Sequence, residues 1–188
     1  MLFRLAPLAL SLLPALAQAE SLGIRFNEIS PGTEFYYEGH GKLGVDKMDR
    51  YVGVRNGKHE FQSFFPRQGS YGKLFRISRY DSQGRLVEIE KIGVGTLTRF
   101  VPFHCDRSGQ CKCTHERIVI NPKRGTRKST RKHFEIRKSG RKLNIISNAN
   151  TNRLESSITL GDHNIVVKNT EATGNEKGGS KLVEIHKP

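Results

Sequence analysis

The chain has 188 residues, with 32 Lys and Arg against 18 Asp and Glu, and a formal charge of +14 at pH 7. That length suits one domain able to bury a single core without staples, and no run after residue 20 is apolar enough to span a bilayer as a helix. So large a positive excess predicts attraction to anionic partners and says nothing about fold.

Residues 1–19 read as a cleavable secretory signal. Arg4 is the only charge before Glu20, Leu5 to Leu16 is apolar apart from Ser11, and Ala17-Gln18-Ala19 supplies the small-x-small pattern a signal peptidase accepts. A membrane anchor needs about 20 apolar residues, whereas this run is shorter and contains Pro7 and Pro14. The expected product is a periplasmic or secreted domain, residues 20–188, that is soluble and unanchored.

Hairpin signals dominate the chain after residue 20. Glu34–Tyr37 and Lys42–Val45 suggest an opening hairpin. Tyr51–Arg55 and Lys58–Gln62 flank Asn56-Gly57, a pair that tolerates positive φ at both centres of a two-residue turn. Leu74–Tyr80 and Arg85–Ile92 flank Ser82-Gln83-Gly84, Arg99–Cys105 and Cys111–Ile120 flank Arg107-Ser108-Gly109, and Phe134–Arg137 and Arg141–Ser147 flank Lys138-Ser139-Gly140. In these three the glycine stands third, where a type I turn closing on a left-handed residue wants it. Ser156–Leu160 and His163–Asn169 meet at Gly161-Asp162, and Leu182–Ile185 can return as a last strand. The fold class is therefore all-β: an antiparallel meander of about ten strands, forming a curved sheet or open barrel. Two segments lack apolar alternation. Residues 121–133 read as a basic loop, and the polar, glycine-rich 170–180 as a flexible segment.

Three cysteines, Cys105, Cys111 and Cys113, sit in the hairpin around Arg107-Ser108-Gly109. With Arg107-Ser108-Gly109 as the turn, Cys105 and Cys111 oppose each other at a non-hydrogen-bonded site, where Cα atoms lie about 4.5 Å apart. A disulfide spans about 4.4–6.8 Å, and exported thiols are oxidised, so Cys105–Cys111 is the expected bridge. Cys113 is diagonal to Cys105, beyond about 7 Å, which makes Cys105–Cys113 the alternative and leaves one thiol over. A metal reading would join Cys105, Cys111, Cys113 and His115 on one face, with His104 pointing away, in a site suited to zinc or cuprous copper. The disulfide is the simpler account, and no metal or other cofactor is expected.

Between residues 123 and 142 stand ten basic residues: Lys123, Arg124, Arg127, Lys128, Arg131, Lys132, Arg137, Lys138, Arg141 and Lys142, with Glu135 the only acid among them. Such a concentration points to an anionic ligand: a lipid headgroup, lipopolysaccharide or another polyanion. Nucleic acid fits less well, because no recognition motif or stacking platform accompanies the charge. Phe35, Tyr36, Tyr37, Phe61, Phe64, Phe65, Phe100 and Phe103 serve sheet packing first. In a half-open barrel some could line an acyl cavity, which would resemble, in architecture alone, the periplasmic open-barrel lipid and lipoprotein carriers; no motif carries that resemblance. Nucleophile elbow, phosphate loop, HExxH and Cys-x-x-Cys are all absent from the sequence, and the reading is a non-catalytic binding protein.

Overall fold

The computed structural model describes residues 23–67, 70–93, 95–100, 104–105, 110–121, 126–147, 154–173 and 175–188; the expected signal, 1–19, lies outside them. Thirteen strands follow one another: β1 (Glu34–Gly41), β2 (Lys47–Arg55), β3 (Lys58–Arg67), β4 (Ser70–Tyr80), β5 (Leu86–Lys91), β6 (Thr96–Phe100), β7 (His104–Cys105), β8 (Gln110–Asn121), β9 (Thr126–Ser139), β10 (Lys142–Ser147), β11 (Leu154–Leu160), β12 (Val166–Thr173) and β13 (Glu176–His186). All join one antiparallel sheet in the order β6-β5-β4-β3-β2-β1-β13-β12-β11-β10-β9-β8-β7. The nearly all-β meander is as the turn chemistry predicts. The sheet curls until β6 pairs with β8, Thr96 opposite Val119 and Phe100 opposite His115.

Two buried clusters lie on one face of this curl, the core face, while buried Met48 and Ile118 lie on the other. Phe35, Tyr37, Tyr51 and Phe61 form one cluster with Phe26, Ile29 and Ile165, and Ile136, Leu143 and Leu160 form the second. The segment before β1 crosses the end of the sheet where these clusters sit. The Ile24 amide donates to Gly84 O at 2.9 Å, the Arg25 amide to His163 O at 3.0 Å and the Gly32 amide to Tyr51 O at 2.7 Å. Phe26 thereby stacks on His59, ring centroids 3.9 Å apart, and the Tyr51 hydroxyl lies 2.7 Å from His59 Nδ1. Burial lowers the His59 pKa, with Asp81 opposing, which favours the neutral imidazole beneath Phe26.

The opposite face carries a ladder of alternating charge. Glu60, Arg79, Glu88, Arg99, Glu116 and Arg131 are successive cross-strand partners on β3, β4, β5, β6, β8 and β9. Arg79 is its hub, 3.2 Å from Glu60, 2.6 Å from Glu88 and 2.9 Å from Glu90. Opposite charges across a ladder favour one register and like charges penalise its slips.

Four expectations need correction. Lys42–Val45 is not a strand: β2 begins at Lys47, and residues 42–46 fold back on β1, where the Gly39 amide donates to Asp46 Oδ1 at 2.7 Å. The approach is so close that a Cβ on Gly44 would lie 2.2 Å from His40 N. The β9–β10 turn is Gly140-Arg141, with Ser139 opposite Lys142 and φ +56° at Gly140. The three-residue turn would have set Arg137 against Arg141 and Ile136 against Lys142; the observed register sets Ile136 against Ile145 instead. Residues 126–133 are strand, not loop, because β8 and β9 pair continuously from Gln110–Arg137 to Asn121–Thr126. Strand propensity yields to such pairing. Residues 170–173 and 176–180 are likewise strand, in β12 and β13.

The glycines of β13 explain the last point. A Cβ on Gly178 would lie 2.5 Å from Leu43 N, and one on Gly179 only 1.9 Å from Asn169 O. They serve close backbone approach, a use of glycine within strands. Gly179→Ala should therefore destabilise the protein by about 1–3 kcal/mol, the range for overpacking, read as a lowered denaturant midpoint with an unchanged slope.

Candidate functional site

Continuous strand structure divides the ten basic residues. Lys123 and Arg124 lie outside the described residues. Along β9, Arg127, Arg131 and Arg137 alternate with Lys128, Lys132 and Lys138, and it is the lysine positions that share the register of Ile136 on the core face. Arg141 and Lys142, at the turn into β10, are exposed, Arg141 lying 3.4 Å from Asp162. Of the ten, the described side chains are those of Arg137, Arg141 and Lys142, all exposed.

One of them reaches a cavity. A cleft of about 700 Å³ spans β1 and β9–β13, lined by Arg137, His40 and Lys177, by Ile145, Ile146 and Ala172, and by Asn144, Ser156, Ser157, Thr170 and Glu171. Arg137, Asn144, Ser157 and Thr170 are successive cross-strand partners running across it. The Arg137 side chain is 64% exposed, and its contact with Glu135 is 4.0 Å long. A solvated pair of that length is worth about 0–1 kcal/mol, so the guanidinium is available to a ligand. Cations beside an apolar floor can hold a molecule that is anionic at one end and greasy at the other. Sequence reasoning missed Lys177, which it placed in a flexible segment, and did not connect His40 with Arg137, to which only the β1–β13 pairing joins it.

A second charged group lies on the core face. Lys47 Nζ donates to Asp49 Oδ2 and sits 4.1 Å over the Tyr37 ring. Arg76 comes within 3.6 Å of Asp49 Oδ1 and donates through Nε to Ser63 Oγ at 3.1 Å. Burial would raise the Asp49 carboxyl, but the charges of Lys47 and Arg76 and hydrogen bonds from Lys47 and Ser63 hold it below its ordinary 3.8. Burial lowers the Lys47 ammonium, with Asp49 opposing, and pushes the nearby Tyr80 hydroxyl up to about 12. Two cations around one carboxylate leave this group with an excess positive charge.

In the cysteine hairpin the backbone register sets Cys105 opposite Cys111, His104 opposite Lys112 and Cys113 opposite Phe134. Residues 106–109 lie outside the described residues, as do the side chains of the three cysteines, His104 and His115. Among the described residues no three His, Cys, Asp or Glu side chains gather into a metal-binding set, and no helix is long and apolar enough to cross a membrane. The chain matches no protein-family model, no curated protein and no solved structure.

These groups lend themselves to two measurements. Peptide mapping under non-reducing conditions of protein prepared in an oxidising compartment tests the expected bridge: Cys105 linked to Cys111 with Cys113 a free thiol would bear it out, and three alkylatable thiols would exclude it. Asp49→Asn should destabilise the fold by about 3–5 kcal/mol, because it leaves Lys47 and Arg76 buried without their counterion. Since the folded pKa of Asp49 lies below 3.8, its contribution is present above pH 3.8 and lost as the pH falls below that value. Denaturation across pH 2–6 should show the variant lacking that share of the acid loss.

Proposed function

We propose that this chain is an exported, non-catalytic binding protein for an anionic amphiphile, a lipid or a molecule of lipid-like chemistry. The observation that carries the reading is the cleft in which Arg137, Lys177 and His40 surround Ile145, Ile146 and Ala172. A carboxylate or phosphate would pair with the Arg137 fork, while acyl carbons would cover the isoleucine floor. Export rests on the pattern of residues 1–19, and the chain's positive charge would speed encounter with anionic ligands at low salt.

Isothermal titration with lysophosphatidylglycerol and lysophosphatidylcholine tests this. The anionic lipid should bind and the zwitterionic one bind far less. Arg137→Glu should weaken the former about ten- to a hundredfold, which corresponds to the 1.5–3 kcal/mol of a charged hydrogen bond. Heparin binding more tightly than the lysolipid, with Arg137→Glu silent toward both, would replace the amphiphile with a polymer.

A further inference from the structure

The antiparallel alternation sorts the connections into two ends. At one end lie the floor segment and the turns at 56–57, 81–85, 140–141 and 161–165; at the other lie the links β1–β2, β3–β4, β5–β6 and β8–β9. Three exposed apolar side chains lie at this second end: Val45 in the β1–β2 link at 45% exposure, Phe65 near the end of β3 at 36% and Ile92 in the β5–β6 link at 39%. Phe65 stacks on Phe75 at 3.9 Å, and the Ile92 amide donates to Phe75 O at 2.8 Å, so two of the three belong to one ridge.

Cations surround that ridge. Lys73 stands opposite Phe65 and Lys91 opposite Arg76, both lysines exposed. The Arg76 guanidinium is 5.7 Å from the Phe75 ring centroid. Exposed apolar residues occur at the opposite end too, namely Val54, Val183 and Ile185. Their surroundings are of mixed charge: Glu184 separates Val183 from Ile185, Arg55 follows Val54, and Asp81, Asp162 and Glu28 stand in the turns and floor there with Arg141 and Lys142. What sets the second end apart is the stacked pair of Phe65 and Phe75 with exposed lysines on the adjoining strand ends.

We propose that the Phe65–Phe75–Ile92 ridge, with Lys73 and Lys91, docks this end of the sheet on the surface of an anionic bilayer. Aromatic and aliphatic tips enter the headgroup boundary while the lysines meet lipid phosphates. The last residues of β1 and the first of β13, which carry His40 and Lys177 of the cleft, lie at the same end, but docking uses different residues and does not rest on the cleft.

The chain contains no tryptophan, so one introduced at the ridge reports alone. With Phe65→Trp, and Ile92→Trp as a second reporter should the first perturb the stack, vesicles of phosphatidylglycerol and phosphatidylcholine should shift emission to the blue. Brominated acyl chains should quench it, while pure phosphatidylcholine should leave it unchanged. Val54→Trp, at the other end, should neither shift nor quench, which also separates docking from attachment through residues 1–19. Lys73→Glu with Lys91→Glu in the reporter background should weaken partitioning at least tenfold. An unshifted ridge reporter, equal quenching at position 54, or a blue shift that follows protein concentration without lipid would overturn the proposal, the last by making a second copy of the chain the occupant.

Discussion

The ladder between β1 and β13 is the constraint on which the other features depend. It joins residues 34–41 to residues 178–186 and makes one sheet of two runs of hairpins, β2–β6 and β8–β12. Backbones approach closely there: Gly39, Gly41, Gly178 and Gly179 occupy positions where an added Cβ would strike main-chain atoms. On the other side of β13, Asn169 ties β12 to it, its Oδ1 accepting from the Ser180 amide at 2.8 Å and from Ser180 Oγ at 2.7 Å. Because buried strand edges must find partners, pairing at this ladder and at β6–β8 relieves the longest strands of free edges.

Curling also decides what charge can do. Strong positive charge repels itself, and two arrangements offset it. On the outer face, Glu60, Glu88 and Glu116 alternate with Arg79, Arg99 and Arg131 across six strands. On the core face, Asp49 sits between Lys47 and Arg76. Arg137 at the cleft belongs to neither arrangement: its side chain is 64% exposed and 4.0 Å from Glu135.

The two ends of the sheet differ for a related reason. One is filled by Phe26 and Ile29, held over the aromatic cluster by backbone hydrogen bonds and by a 2.8 Å contact between His163 Nδ1 and Glu28. The other carries apolar tips among cations. A floor that needs aromatic burial and a rim that tolerates exposed Phe65 and Ile92 give the molecule a polarity along its strands.

Much of this was legible in the residues. Asn56-Gly57 closes β2 onto β3 with φ +50° and +72°, and the Gly84 amide donates to Asp81 O as a glycine in third place requires; such turns are read from sequence because a positive φ restricts which residues can stand there. The pairing of Cys105 with Cys111 in register came from the same local counting. Tertiary structure alone decided the rest. The first half of β9 looked like loop because its charge hides its alternation, and only its pairing with β8 makes it a strand. The glycines of β13 looked flexible because a close approach of distant backbones leaves no mark on the local chain. The cleft joins Arg137 to His40 and Lys177 through contacts far apart in sequence, and such contacts are chosen by the curling of the sheet, not by neighbouring residues.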